Sequence, residues 1–142
     1  MDAQTLDSLA EMICGDGQDY PVYRSGSELT RFFYRVGFSN FRHDGSTRKW
    51  WTLGVLNQLT ENNLKAVVLR LADPREYRGN EAQVSHAIRK LNEILMVEGL
   101  KVEDYHESYH HAVYINADLI PTNLSGIGEN NHRVLICNNW VR

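Results

Sequence analysis

Cysteine and proline are scarce in this chain. Cys14 and Cys137 are the only thiols in 142 residues, and Pro21, Pro74 and Pro121 the only prolines. Two distant cysteines outside any CxxC spacing demand neither a disulfide framework nor a zinc ribbon, and they read as reduced, partly buried thiols. No run approaches the ~18 consecutive apolar residues that a membrane span needs. Residues 1–15 carry Asp2, Asp7 and Glu11 and no basic segment, which is not the pattern of a secretory leader. A soluble, cytoplasmic protein with no membrane partner is expected. Enzyme signatures are missing too. There is no GxGxxG or P-loop to cradle a phosphate, no GxSxG elbow to present a serine, and no Arg–His spacing of the kind some helical ribonucleases use.

What is present is an ordinary globular composition, 42% hydrophobic and 23% charged, with three Trp, seven Tyr and four Phe to build one core. The net charge of -3 does not mark a nucleic-acid protein. Its distribution is uneven. Between residues 24 and 49, Arg24, Arg31, Arg35, Arg42, Arg48 and Lys49 face only Glu28 and Asp44; between residues 93 and 129, seven acidic residues face only Lys101. A basic face and an acidic face are expected, a distribution suited to docking on a partner or on a second copy.

Hydrophobic periodicity predicts a mainly α (α+β) domain: a compact bundle of about five helices followed by a small C-terminal β element, with winged-helix-like features as one form of it. Leu6, Leu9, Ala10 and Ile13 share a face that stops at Gly15. Ser25 and Glu28 have capping-box spacing ahead of Leu29, Phe32, Phe33 and Val36, and Gly37-Phe38 reads as the stop. Ser46 is the expected cap of a third helix carrying Trp51 and Val55 and running to about Leu59. Asn62 is the expected cap of a fourth, with Leu64, Val67, Val68 and Leu71 inward and Pro74 ending it. Val84, Ala87, Ile88, Leu91, Ile94 and Leu95 stripe a fifth, closed by Gly99-Leu100. Beyond it, Leu100, Val102, Val113, Ile115 and residues 133–141 read as short strands and residues 121–131 as loop. Residues 1–102 thus form a helical recognition domain, and 103–142 a β-containing tail.

Two constellations could carry chemistry. His106-Glu107-Ser108-Tyr109-His110 fits H-E-x-x-H, in which two His one helical turn apart bind zinc and the Glu activates the bound water. Glu129 or His132 would supply a third ligand. The motif needs a stable helix, however, and only Tyr105, Tyr109 and Val113 hint at one. Three His within residues 106–111 also make a chance match easy. His106 and His110 are the metal candidates, set against an exposed polar segment; no cofactor is expected. The second constellation is Arg42-His43-Asp44-Gly45-Ser46-Thr47-Arg48-Lys49-Trp50-Trp51. A helix N-terminus beside Arg48 and Lys49 attracts phosphate or carboxylate. Adjacent tryptophans cannot share one core face, so one is left to stack or dock. Arg42, His43, Arg48, Lys49 and Trp50 are the candidate partner- or anion-binding residues. The plainer alternative is a solvated charged face with both tryptophans packed. A further charged turn, Asp73-Pro74-Arg75-Glu76-Tyr77-Arg78, is suited to ion pairing and shows no paired-carboxylate geometry.

Four phrases, Ser25-Gly26-Ser27-Glu28-Leu29-Thr30-Arg31-Phe32-Phe33, His43-Asp44-Gly45-Ser46-Thr47-Arg48, Leu71-Ala72-Asp73-Pro74-Arg75-Glu76-Tyr77-Arg78-Gly79 and Leu91-Asn92-Glu93-Ile94-Leu95-Met96-Val97-Glu98-Gly99-Leu100, occur in this order. Together they resemble the N-terminal helical domain of AbiJ-like abortive infection proteins and other antiphage defence proteins, over roughly residues 5–103. The resemblance implies a helical sensing or adaptor domain, with any killing chemistry placed elsewhere in the polypeptide; no site residue is carried over from it, and residues 103–142 depart from it.

Three readings follow. The leading one is a non-catalytic recognition domain that uses the surface around Arg48 and Trp50, binds a protein partner or itself, and loses binding but not its fold in Arg48→Glu. The second is a winged-helix nucleic-acid binder with the third helix in the groove, against which the acidic stretch 93–129 already counts. The third is a small zinc hydrolase built on His106, Glu107 and His110.

Overall fold

The computed structural model describes residues 1–106 and 132–138, with side chains described through residue 103. Helices α1 (Ala3–Cys14), α2 (Gly26–Val36), α3 (Arg48–Leu56), α4 (Glu61–Leu71) and α5 (Glu81–Leu95) form the body. Short 3-10 turns at Pro74–Tyr77 and Met96–Glu98 flank α5, and strands β1 (Leu100–His106) and β2 (His132–Asn138) pair antiparallel. The five-helix, mainly α architecture read from periodicity is therefore present. None of the described helices is long and apolar enough to cross a membrane.

The ends of the helices follow local chemistry. Asp2 accepts from the backbone N–H groups of Gln4 and Thr5 and starts α1. Gly15 ends α1 in the left-handed region at φ +74°, and a β-carbon there would lie 1.8 Å from the carbonyl oxygen of Val22, so only glycine fits. Ser25 and Glu28 form the reciprocal capping box, and the Phe38 N–H closes α2 on the Phe33 carbonyl at 2.9 Å.

Four expected boundaries move. Ser46 does not cap α3, because its N–H and hydroxyl both donate to Asp44; α3 starts after Thr47. It ends at Leu56, where the N–H groups of Gln58 and Leu59 turn back to Val55 and Leu56 and tighten the chain. Thr60, not Asn62, caps α4, its hydroxyl accepting from the Asn63 N–H at 3.2 Å. α4 also stops at Leu71, short of Pro74, which instead opens the 3-10 turn capped by Asp73.

Every helix contributes to one core. Leu9 and Ile13 of α1, Phe32 and Phe33 of α2, Leu56 of α3, Leu71 of α4 and Leu91 of α5 are fully buried. Side chains of this size each contribute roughly 1.5–3 kcal/mol by leaving water. Val102 of β1, 2% exposed, joins the same core. Asn92 of α5 accepts from the Val102 N–H at 2.7 Å and donates to its carbonyl at 3.1 Å. The expected division between residues 102 and 103 therefore falls inside a strand that is packed on α5.

In the sheet Val102 stands opposite Ile136 and His106 opposite His132. His106 is extended, not helical as H-E-x-x-H zinc binding requires. Glu107, His110, Val113, Ile115, Glu129 and the predicted loop 121–131 lie outside the described residues.

Candidate functional site

The predicted basic-aromatic site lies at the start of α3, and its members divide in two. Arg48 turns back into the molecule. Its Nη1 donates to the carbonyls of Cys14 at 3.2 Å and Arg24 at 2.7 Å, its Nη2 pairs with Asp16, and its guanidinium sits 4.3 Å above the Tyr23 ring. A cation on the last carbonyls of α1 is a stabilising arrangement. Lys49 donates to Asp7 at 3.2 Å and Glu11 at 3.4 Å on α1, and the hydrogen bond to Asp7 raises its ammonium pKa. Both expected anion ligands are thus engaged within the chain, and the α3-in-groove reading loses its two cations. The expectation that Arg48→Glu spares the fold is also corrected: it would strip two carbonyls of their donor and set a carboxylate beside Asp16.

Arg42 and Trp50 face outward. Trp50 is 61% exposed, with the Lys49 ammonium 5.4 Å from its ring centre, whereas Trp51 packs edge-to-face on Phe33 at 5.8 Å. Arg42, Phe41, Trp50 and Gln58 line an open groove of about 400 Å³. Arg42 forms no ion pair among the described residues. His43 is a packing residue. Its N–H donates to Thr30 at 2.9 Å, its Nδ1 accepts from the Gly45 N–H at 3.2 Å, and its ring lies 5.1 Å from Trp51. A β-carbon on Gly26 would come within 2.6 Å of that Nδ1, so glycine opens the space the imidazole fills.

A second centre was not legible as a site. Glu76, in the turn Pro74–Tyr77, has a side chain only 2% exposed. Its Oε2 accepts from Arg35 Nε at 2.8 Å and Arg70 Nε at 2.6 Å, and its Oε1 from Arg24 Nη2 and Arg35 Nη2, both at 3.0 Å. Burial pushes the carboxyl up, but the hydrogen bonds from Arg35, Arg70 and Arg24 overcome it and hold Glu76 at about 2. Arg24 is itself buried; it also donates to the Ile13 carbonyl at 3.0 Å and lies 4.7 Å over the Phe32 ring. One carboxylate therefore ties the end of α1, α2, α4 and the turn together. The charged turn was visible in sequence, but two of its partners stand 41 and 52 residues away. Beside it, the Tyr77 hydroxyl donates to the Leu71 carbonyl, and burial raises it to about 12.

Cys14 is buried with its Sγ 3.5 Å from the Thr52 hydroxyl, and burial raises its thiol, the opposite of an activated nucleophile. Among the described residues no three His, Cys, Asp or Glu side chains are grouped to hold a metal ion. Comparison of the chain with protein-family models, curated proteins and solved structures found no match.

Proposed function

We propose that this chain is a non-catalytic sensing or adaptor domain of a bacterial antiphage (abortive infection) protein, acting in the cytoplasm and docking on a protein partner or a second copy of itself. The defence setting rests on the resemblance of residues 5–103. The docking role rests on one observation: Trp50 leaves most of its indole in water beside a groove and an Arg42 that forms no ion pair among the described residues. Trp and Arg are the side chains that most often concentrate binding energy at interfaces, because they bury large flat surfaces and still offer donors. Arg48 supports this surface from behind by tying α3 to the end of α1, and Lys49 pairs with carboxylates of α1, rather than contacting the partner.

A photo-crosslinking amino acid at position 50, in cells under phage challenge, tests the reading. It expects one discrete adduct whose mass identifies the partner or a second copy, lost when Arg42→Glu is added. No adduct at position 50, with the same probe silent at position 42, would overturn it.

A further inference from the structure

A cavity of about 550 Å³ opens beside the Glu76 centre, lined by Arg24, Arg31, Arg35, Arg70, Arg75 and Arg78. Among the described residues only two carboxylates line it, Glu28 and Glu76. Glu76 engages Arg24, Arg35 and Arg70. Arg75 pairs with Asp73 just outside the wall, at 2.6 Å. Glu28 accepts from the backbone of Ser25 and influences Arg31 only through space. Arg31 and Arg78 form no ion pair among the described residues. Among the described residues, even with Asp73 counted, six guanidinium groups face three carboxylates, a clear positive excess.

We propose that this cavity binds a small phosphorylated ligand of diphosphate type, carrying at least two negative charges. Three features favour that class. The volume lies in the usual range for small-molecule sites, roughly 300–1,000 Å³. The planar fork of arginine matches phosphate oxygens in pairs, and the excess here exceeds what one singly charged anion would neutralise. Glu76 holds Arg35, whose side chain is 38% exposed, in place beside Arg31 and Arg78 before any ligand arrives, so binding does not have to order that fork. Arg78 lines the cavity as well; its left-handed backbone (φ +53°) ends the turn Pro74–Tyr77, its N–H donating to the Pro74 carbonyl. The cavity shares no lining residue with the Trp50 groove, so this site and the docking surface stand or fall separately.

Isothermal titration of the whole protein with pyrophosphate, ADP and inorganic phosphate at fixed salt tests it. Pyrophosphate and ADP are expected to bind one per chain and to raise the melting temperature, with inorganic phosphate at least about tenfold weaker. The double variant Arg31→Ala/Arg78→Ala, altered at two exposed positions, should melt as the parent does and lose at least about tenfold in affinity. Should it not fold, Arg31→Ala alone is titrated, with a loss of about threefold or more expected. Silence of both diphosphates up to about 1 mM, or affinity unchanged in the variants, overturns the proposal. So does an oligonucleotide that binds through these arginines while pyrophosphate does not.

Discussion

At the start of α3, Arg48 and Lys49 meet two carbonyls and the carboxylates of Asp16, Asp7 and Glu11. Around the turn Pro74–Tyr77, six arginines line a cavity with Glu76 and Glu28, and Asp73 stands close by. The first region is the denser run of basic residues in sequence, yet its charge is neutralised within the fold, and what remains outward is an indole and Arg42. The second is scattered over α2, α4 and the turn, yet keeps cations in excess. A charge run in sequence reports how many cations are near one another; how much of their field reaches solvent depends on the carboxylates that the fold brings alongside.

The largest test of this contrast is Glu76→Ala. Removing the carboxylate leaves buried Arg24 without its counter-charge and should cost about 3–5 kcal/mol in a urea unfolding experiment. A loss no greater than that from the α3 variants below would erase the distinction between the two regions. Acid should report the same centre. Glu76 stands at about 2 in the folded chain against an ordinary 4.5, so its contribution is complete above pH about 4.5 and disappears as the pH falls toward 2. That difference corresponds to on the order of 3 kcal/mol, and Glu76→Gln should flatten this part of the pH–stability curve.

Gly15→Ala comes next. Left-handed backbone and the clash with the Val22 carbonyl should together cost at least about 2 kcal/mol, and the loss should exceed that of Ala at Gly17, where nothing lies within 4 Å. Arg48→Ala should lower stability by about 1–3 kcal/mol, since two carbonyls lose their donor; an unchanged urea midpoint would mean that Arg48 is free for a partner after all. Smallest of all, Lys49→Ala and Trp50→Ser should leave the melting curve nearly where it was, while Trp50→Ser abolishes the adduct expected from a probe at position 42.

The helices were legible because their signals are local. Phe32, Phe33 and Leu29 repeat on one face of α2, Ser25 and Glu28 cap each other over three residues, and Gly15 and Gly37 stop α1 and α2. The caps that failed did so through competition among neighbours of similar chemistry: Asp44 captured Ser46, and Thr60 preceded Asn62. At the candidate site, helical geometry required the adjacent Trp50 and Trp51 to part, and the fold shows that Trp50 is the outward one. The destination of Arg48 did not, because its partners belong to α1 and the loop after it, 24 to 34 residues away. The Glu76 centre was hidden for the same reason; no pattern along the chain sets Arg24 and Arg35 opposite a turn that follows α4.

The amide of Asn92 has a further consequence. A two-stranded sheet leaves each strand one open edge, and an open edge is where a foreign strand adds or a second copy begins to polymerise. On β1 that edge is occupied at Val102, whose N–H and carbonyl are both held by one side chain from α5. Asn92 acts there as a third strand one residue long. An incoming peptide would have to displace an amide already in register before it could pair with β1 at Val102.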